Sequence, residues 1–440
     1  MMQTDFHVQP GGELHGRLTV PGDKSISHRA LLLGAVAEGE THIVNYLNSA
    51  DCRATLTALK ALGVKIEQAG ESRLTVHGAG FESLRPPVQQ LDCGNSGTSM
   101  RLLTGLLAGQ PFQSVLTGDA SLHRRPMQRV IEPLSRMGVV IESDNNRAPL
   151  TIHGRQPLTA LRYEMPVASA QVKSTLLLAG LQAEGETWLH EPATSRDHTE
   201  RMLAAFGCDC LHENDWLGIR GGSPLHAANI AVPGDPSSAA FFLAGAAMMP
   251  GAEIILENVG VNPTRCGIIT LLRAMGADIA FQNARFLGNE PVADIRARGA
   301  ALKGIHIPPD MVPLAIDEFP VLMIAAACAE GTTSLHGATE LRVKESDRLQ
   351  AIADGLRCLG VTVEVWDDGM AVIGGKGFRG GEVDSYGDHR IAMAFALAGL
   401  RARAPIHIRD CRNVETSFPG FAKLARTAGL PVEVRKAAFA

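Results

Sequence analysis

The chain has 440 residues, 45% of them hydrophobic and 20% charged, with a formal net charge of −5. Those values describe a globular chain long enough for two or three domains around a large core. The mild acidity excludes a general polyanion-binding surface while leaving room for a local cationic pocket.

The opening stretch "MMQTDFHVQPGGELHG" has no basic segment followed by an apolar one, so no signal peptide is expected. At Val20 the chain reads "VPGDKSISHRALLLGAVAEGET", a cationic cluster running straight into an apolar stretch. The same entry returns at Val232 as "VPGDPSSAAFFLAGAAMMPGAE", without the basic residues. Polar clusters also lead into apolar runs at Gly94 ("GNSGTSMRLLTGLLAG"), Ala168 ("ASAQVKSTLLLAGL"), Ile316 ("IDEFPVLMIAAACAEG") and Tyr386 ("YGDHRIAMAFALAGL"), which makes six. A second pattern, an amphipathic run closed by glycine before a β-rich stretch, recurs as "LKALGVKI", "LSRMGVVI", "LAAFGCDC", "LRAMGADI", "LRCLGVTV" and "ARTAGLPVEV". Successive copies lie about 70 to 80 residues apart, and a fixed period of this kind dictates the architecture.

Each unit reads as helix, strand, helix, strand, strand. The first helix is apolar nearly all round and is expected to be buried. The second, such as "DCRATLTALKALG", carries a stripe at Leu56, Leu59 and Leu62 and suits a surface. Its closing Gly63 fits a left-handed cap before the strand "VKIE". Greasy helices inside and strands outside predict an inside-out α/β arrangement. Three units lie between the "VPGD" copies and three after, so hinges are expected at Pro21–Gly22 and Pro233–Gly234. They divide the chain into a lobe of residues 23–234 and a lobe of residues 1–22 and 235–440.

The first turn of a buried helix holds unsatisfied N–H groups and the positive end of a macrodipole, which favour anions. The side chains of Lys24, Arg29, Arg101, Arg125, Lys344, Arg348 and Arg390 add cations in matching positions of the repeat. A small, multiply anionic substrate is the natural ligand. Other phosphate motifs fit badly: "PGDKS" has Asp23 where a P-loop needs glycine, and neither "GNSGTSM" nor "GGKGFRGG" is G-x-G-x-x-G after a strand. Asp317, at the start of the fifth buried helix, is either a helix cap or an acid–base group. Glu345, in "LRVKESDRL", is either the partner of Arg348 in an i,i+3 pair or a second acid–base group. The eight cysteines are scattered, and the Cys208–Cys210 spacing is a weak metal signal. A reducing, cytoplasmic setting without metal is the expectation. The apolar run "VLMIAAACA" is too short to span a bilayer.

The motifs "GNSGTSMRLL", "LTGDASLHRRPM", "ASAQVKSTLLLAGL", "SRDHTERML", "LRVKESDRL", "GDHRIAMAFALAGL" and "TSFPGF", in this order, resemble the 5-enolpyruvylshikimate-3-phosphate synthase family, in a divergent bacterial subgroup. The resemblance implies a two-lobed inside-out α/β barrel of three βαβαββ units per lobe, with the site in the cleft between them and the first twenty or so residues packed with the C-terminal lobe. It implies enolpyruvyl transfer from phosphoenolpyruvate to the 5-hydroxyl of shikimate-3-phosphate, a step of aromatic biosynthesis, with no metal or redox cofactor. A monomer that binds neither nucleic acid nor membrane is expected.

By the same resemblance, Lys24 touches both substrates and Ser25 and Arg29 hold the shikimate part. Ser169, Ala170, Gln171 and Arg196 hold its phosphate. Gly97, Arg125, Arg348 and Arg390 surround phosphoenolpyruvate, with His389 close by. Asp317 takes the hydroxyl proton, and Glu345 works at C3 of the enolpyruvyl group, with Lys24 and Lys344 as charge partners. Two departures stand out. Ala170 replaces a second serine, and Thr416 stands where many members have lysine. Glyphosate tolerance is a property of some subgroup members, whereas Gly97 predicts sensitivity. Two other readings remain. One is an enolpyruvyl transferase for UDP-N-acetylglucosamine, which is expected to carry a cysteine in the loop that here reads "GDASLHRRPM"; the other is a non-catalytic anion-binding protein on the same fold.

Overall fold

The computed structural model describes residues 2–438. Among them are twelve helices of seven residues or more, two per repeat. In chain order these are α1 (Lys24–Val36), α2 (Ala50–Ala61), α3 (Gly97–Ala108), α4 (Gln128–Arg136), α5 (Ala170–Gly180) and α6 (His198–Ala205). They continue as α7 (Pro236–Ala247), α8 (Gly267–Ala274), α9 (Phe319–Cys328), α10 (Arg348–Cys358), α11 (His389–Ala398) and α12 (Phe421–Thr427). The odd-numbered helices are the apolar ones and are buried almost throughout; every residue of α7 is buried. The even-numbered helices bury one face, as α2 does with Leu56 and Leu59. Each even-numbered helix ends at a glycine with positive φ: Gly63, Gly138, Gly207, Gly276, Gly360 and Gly429, between 82° and 107°. That conformation costs an L-residue a Cβ clash that glycine avoids, so the chain leaves each outer helix in one direction and enters a strand.

The strands repeat one topology. In the first unit Asn229–Ala231 runs parallel to Glu38–Val44, which pairs antiparallel with Arg73–Ala79, and that strand pairs antiparallel with Lys65–Gln68. The same order recurs in the sheet of Leu91–Asp92, Gln113–Thr117, Arg147–His153 and Val140–Asp144. It recurs again in the sheet of Arg162–Glu164, Glu186–His190, Trp216–Arg220 and Leu211–Glu213. In the last repeat the third strand comes from the start of the chain: Met2–Val8 lies between Ile406–Arg409 and Val432–Ala438. His15–Leu18 likewise runs parallel to Glu253–Gly260 in the fourth repeat.

Two compact units result. The C-terminal unit holds the chain up to Pro21 together with Pro233–Phe286 and the chain from Pro291; the N-terminal unit holds Gly22–Val232 and Leu287–Glu290. Each has its own core. In the N-terminal unit α3 and α5 approach so closely that a Cβ on Gly105 would lie 2.2 Å from the Thr175 carbonyl oxygen. Only glycine permits that contact, and it fixes the separation of two helices whose first turns carry candidate ligands.

Candidate functional site

In the N-terminal unit three buried helices begin with capped first turns. The Asp23 carboxylate accepts from the Ile26 N–H, the Ser96 hydroxyl from Ser99 N–H and the Ser169 hydroxyl from Val172 N–H. Part of each helix-end donor set is therefore satisfied by the chain itself. Beside the first cap, Lys24 Nζ lies 3.0 Å from Asp51 Oδ2. Arg29, 4% exposed, donates to the Thr199 hydroxyl at 2.7 Å, the Ser174 hydroxyl at 2.6 Å and the Ser25 carbonyl at 3.0 Å. Hydroxyls and carbonyls orient a guanidinium without cancelling its charge.

Gln171 connects two of these starts. Its amide oxygen accepts from Arg101 at 2.6 Å and its amide nitrogen donates to the Thr98 hydroxyl at 2.9 Å. Arg125 is buried and donates to the Asn95 amide oxygen at 2.8 Å. A Cβ on Gly97 would meet the terminal nitrogens of Arg101 and Arg125 at 2.8 and 3.2 Å. Arg196, half-buried, stands in the segment before α6. That segment is anchored by the buried Lys173, whose ammonium bridges Glu191 at 2.9 Å and Glu200 at 2.7 Å, while the Ser195 hydroxyl donates to Glu191. Burial works against the Lys173 charge, but the two glutamates more than offset it and hold its pKa above the ordinary value.

In the C-terminal unit the centre is Arg348, 1% exposed. Its Nε lies 2.8 Å from Asp388, and its terminal nitrogens lie 2.7 Å from Glu345 and 3.4 Å from Asp317. Burial opposes the guanidinium charge, yet the carboxylates of Asp388, Glu345 and Asp317 hold its pKa above the usual value. Burial also disfavours the Asp388 carboxylate, and Arg348 reverses that and holds it below the usual carboxylate range. Asp388 caps α11 by accepting from the Arg390 N–H at 2.9 Å, and it accepts from the Ser346 hydroxyl at 3.1 Å.

Asp317 does not cap a helix. It sits in the turn before α9, where the cap position is Glu318 and no side chain closes the first turn. The Asp317 carboxylate faces Lys344 at 3.5 Å and Arg348, and its carbonyl accepts from Arg390 at 3.0 Å. Glu345 does form the i,i+3 pair with Arg348, but the arginine is interior, so the pair is part of a cluster rather than a surface ornament. His389 is buried beside Arg390 at the start of α11. Thr416 donates its hydroxyl to the Asn413 carbonyl, as a local turn contact.

The structure brings together Asp317, Lys344, Glu345, Arg348 and Arg390, all expected from the sequence, and in the other unit it joins Gln171 to Arg101, a pairing the sequence did not suggest. Sequence reasoning passed over Asp51, Lys173, Asp388 and Glu318. Asp388 was visible in principle: it precedes α11 as Asp23 precedes α1 and Asp235 precedes α7.

The model of the EPSP synthase (3-phosphoshikimate 1-carboxyvinyltransferase) family matches residues 8–424. The chain is 61% identical over 427 residues to a 3-phosphoshikimate 1-carboxyvinyltransferase of Alkalilimnicola ehrlichii, covering 97% of this chain and 96% of that one. It is 54% identical to that of Coxiella burnetii, covering 98% of both chains. The EPSP synthase structure from Acinetobacter baumannii superposes with a TM-score of 0.87 at 52% identity, over 98% of this chain and all of that one. The enolpyruvyl transferase NikO from Streptomyces tendae shares the fold, with a TM-score of 0.81 at 17% identity and full coverage of both chains. The repeated inside-out α/β units and these likenesses agree, and the chain belongs to the EPSP synthase family.

Proposed function

We propose that this chain transfers the enolpyruvyl group of phosphoenolpyruvate to the 5-hydroxyl of shikimate-3-phosphate. The hydroxyl oxygen attacks C2 of phosphoenolpyruvate while C3 gains a proton, giving a tetrahedral intermediate. The C–O bond to the phosphate then breaks, a proton leaves C3, and inorganic phosphate is released. The observation that carries the residue assignment is the Asp317 carboxylate. It is held toward Lys344 and Arg348 instead of closing its own helix.

In this reading Asp317 takes the hydroxyl proton. Glu345, on the other side of Arg348, delivers and later removes the proton at C3. Arg348 keeps both carboxylates in place, and the charge of Lys344 offsets the alkoxide character that develops. Arg390, Arg125 and the space beside Gly97 receive phosphoenolpyruvate, with His389 at the same helix start. Lys24, Ser25 and Arg29 receive the shikimate ring, and Ser169, Ala170, Gln171 and Arg196 receive its phosphate. Arg29 supports this because it is buried on α1 and fixed by the Thr199 and Ser174 hydroxyls and the Ser25 carbonyl.

The reading of a transferase that uses a loop cysteine has no support from the loop 118–127. Cys93 lies at the base of that loop, its N–H donating to the Thr117 carbonyl, but it is fully buried. Burial pushes its thiol above the usual range, which disfavours the nucleophilic thiolate near neutrality. Phosphate release assayed with both substrates, and with each omitted in turn, tests the proposal. Release that needs both supports it; release unaffected by omitting shikimate-3-phosphate, or obtained with UDP-N-acetylglucosamine in its place, overturns it.

A further inference from the structure

The second "VPGD" turn has no cations after it, yet it is joined to the proton-transfer cluster. Asp235 caps α7 and accepts from Arg265 at 3.1 Å. Arg265, 3% exposed, also donates to the Ser237 hydroxyl at 2.8 Å. That hydroxyl donates to Glu318, itself 3% exposed. The Glu318 carboxylate in turn lies 3.5 Å from Arg390. Charges alternate along this path with a hydroxyl in the middle, and all the members are interior, where an unmatched charge would be costly.

Glu318 occupies a cap position without capping, and it follows Asp317 directly. One terminal nitrogen of Arg390 is held by two consecutive residues, the Asp317 carbonyl at 3.0 Å and the Glu318 carboxylate. Moving Glu318 therefore moves the guanidinium assigned to phosphoenolpyruvate and the backbone that aims Asp317. We infer that Glu318 is a positioning residue for enolpyruvyl transfer, held by Ser237 and Arg265 at the start of α7 and acting through Arg390. The role rests on the assignment of Arg390 to phosphoenolpyruvate made above.

Three variants and two readouts decide it. Glu318→Gln keeps an acceptor for the Ser237 hydroxyl and removes the charge facing Arg390. Ser237→Ala keeps the charge and removes the hydroxyl that orients it, and a thermal melt checks that the variant folds. Arg390→Ala tests the underlying assignment. Glu318→Gln is expected to raise KM for phosphoenolpyruvate roughly ten- to a hundred-fold, the worth of one hydrogen bond to a charged group. KM for shikimate-3-phosphate should stay within about twofold, because a general loosening would move both and a positioning defect moves one. Ser237→Ala should move the same constant in the same direction by less. If Arg390→Ala raises KM for phosphoenolpyruvate and neither other variant does, the role of Glu318 is overturned while the substrate assignment stands. If Arg390→Ala leaves that constant unchanged, the assignment fails and the role falls with it. A crystal structure of Glu318→Gln supplies the second readout. An Arg390 side chain displaced from the Asp317 carbonyl supports the inference, and one that stays in place overturns it.

Discussion

The two "VPGD" turns begin alike and end differently. In both, an aspartate caps a buried helix, through Ile26 at the first and Ser237 at the second. At the first, the next residue is Lys24 and the next turn brings Arg29, held by two hydroxyls and a carbonyl. At the second, the helix supplies no cation, and Arg265 arrives from thirty positions further along to meet the cap's own carboxylate. A guanidinium held by neutral acceptors keeps its field for an incoming anion. One held by a carboxylate has its charge matched within the protein. In the proposed assignment the first turn serves a ligand, whereas the second ties buried charges together within its own unit.

The largest effect that sharpens this comparison lies at the cluster the second turn supports. Asp317→Asn and Glu345→Gln are each expected to keep the fold and lower turnover by roughly 10²–10⁴, as removal of one general acid or base does. Steady-state phosphate release beside a thermal melt checks it. Near-normal rates in folded variants would make both carboxylates structural partners of Arg348.

Next come the two arginines themselves. Arg265→Met leaves the buried Asp235 carboxylate without that partner, and the expected loss is about 3–5 kcal/mol of stability, read from urea denaturation. KM for shikimate-3-phosphate should hardly move. Arg29→Lys keeps a charge but loses the planar fork that reaches three acceptors. It should raise that KM about ten- to a hundred-fold, in line with one or two charge-assisted hydrogen bonds. The reverse pattern, with Arg29 governing stability and Arg265 governing shikimate-3-phosphate binding, would undo the comparison.

The repeat was legible because its signals are local. Apolar runs and closing glycines report on their own backbone, and all six glycines have the positive φ that their place after an amphipathic run predicts. Asp317 and Glu345 were legible as carboxylates among cations, but whether Asp317 capped a helix was open, since a cap and a base look alike in one dimension. Arg265 and Glu318 were illegible for another reason. Their partners lie 28 to 81 positions away along the chain, and nothing local in "NPTRCG" or "DEFP" separates a buried charge from a solvated one. Asp51 escaped notice likewise, 27 positions from Lys24.

A smaller effect concerns the floor beneath the first turn. His28 is fully buried on α1, with Nδ1 2.8 Å from the Thr55 hydroxyl, which lies 2.7 Å from Ser99. Burial, with Lys24 and Arg29 near it, pushes its pKa down from 6.5 to about 3. The folded state thus refuses a proton that the unfolded chain accepts below its ordinary pKa. This contribution is complete above 6.5 and is lost as pH falls toward 3, at no more than about 1.4 kcal/mol per pH unit. Urea midpoints between pH 6.5 and 4 should fall more steeply for the native chain than for His28→Asn, whose amide keeps a contact with Thr55 and does not titrate. Parallel slopes would mean that the histidine is charged in the folded state. The second turn has alanine and phenylalanine in the helix behind it, so no matching acid limb is expected from α7.

The smallest expected effect belongs to Gly97, the first residue of α3. Its φ is not in the left-handed region, so alanine fits the backbone, and alanine is the better helix former. What the added methyl meets is the end of Arg101 at 2.8 Å and of Arg125 at 3.2 Å. Both are tips of flexible side chains, so the fold yields cheaply, but the guanidinia must shift. Arg101 is the group that holds Gln171 at 2.6 Å, and Arg125 is assigned to phosphoenolpyruvate. On the proposed assignment the methyl acts twice, by narrowing the space beside Gly97 and by moving Arg101 and Arg125. Glyphosate is a phosphonate somewhat longer than phosphoenolpyruvate, and the prediction is that the native enzyme is inhibited by it. Gly97→Ala should weaken that inhibition more than it weakens phosphoenolpyruvate binding, which loses about 1 kcal/mol, the low end of overpacking costs. Inhibition constants for both forms against phosphoenolpyruvate, at one salt concentration, check this. Equal constants would show that the cations at this helix start, unlike those at α1, do not govern access.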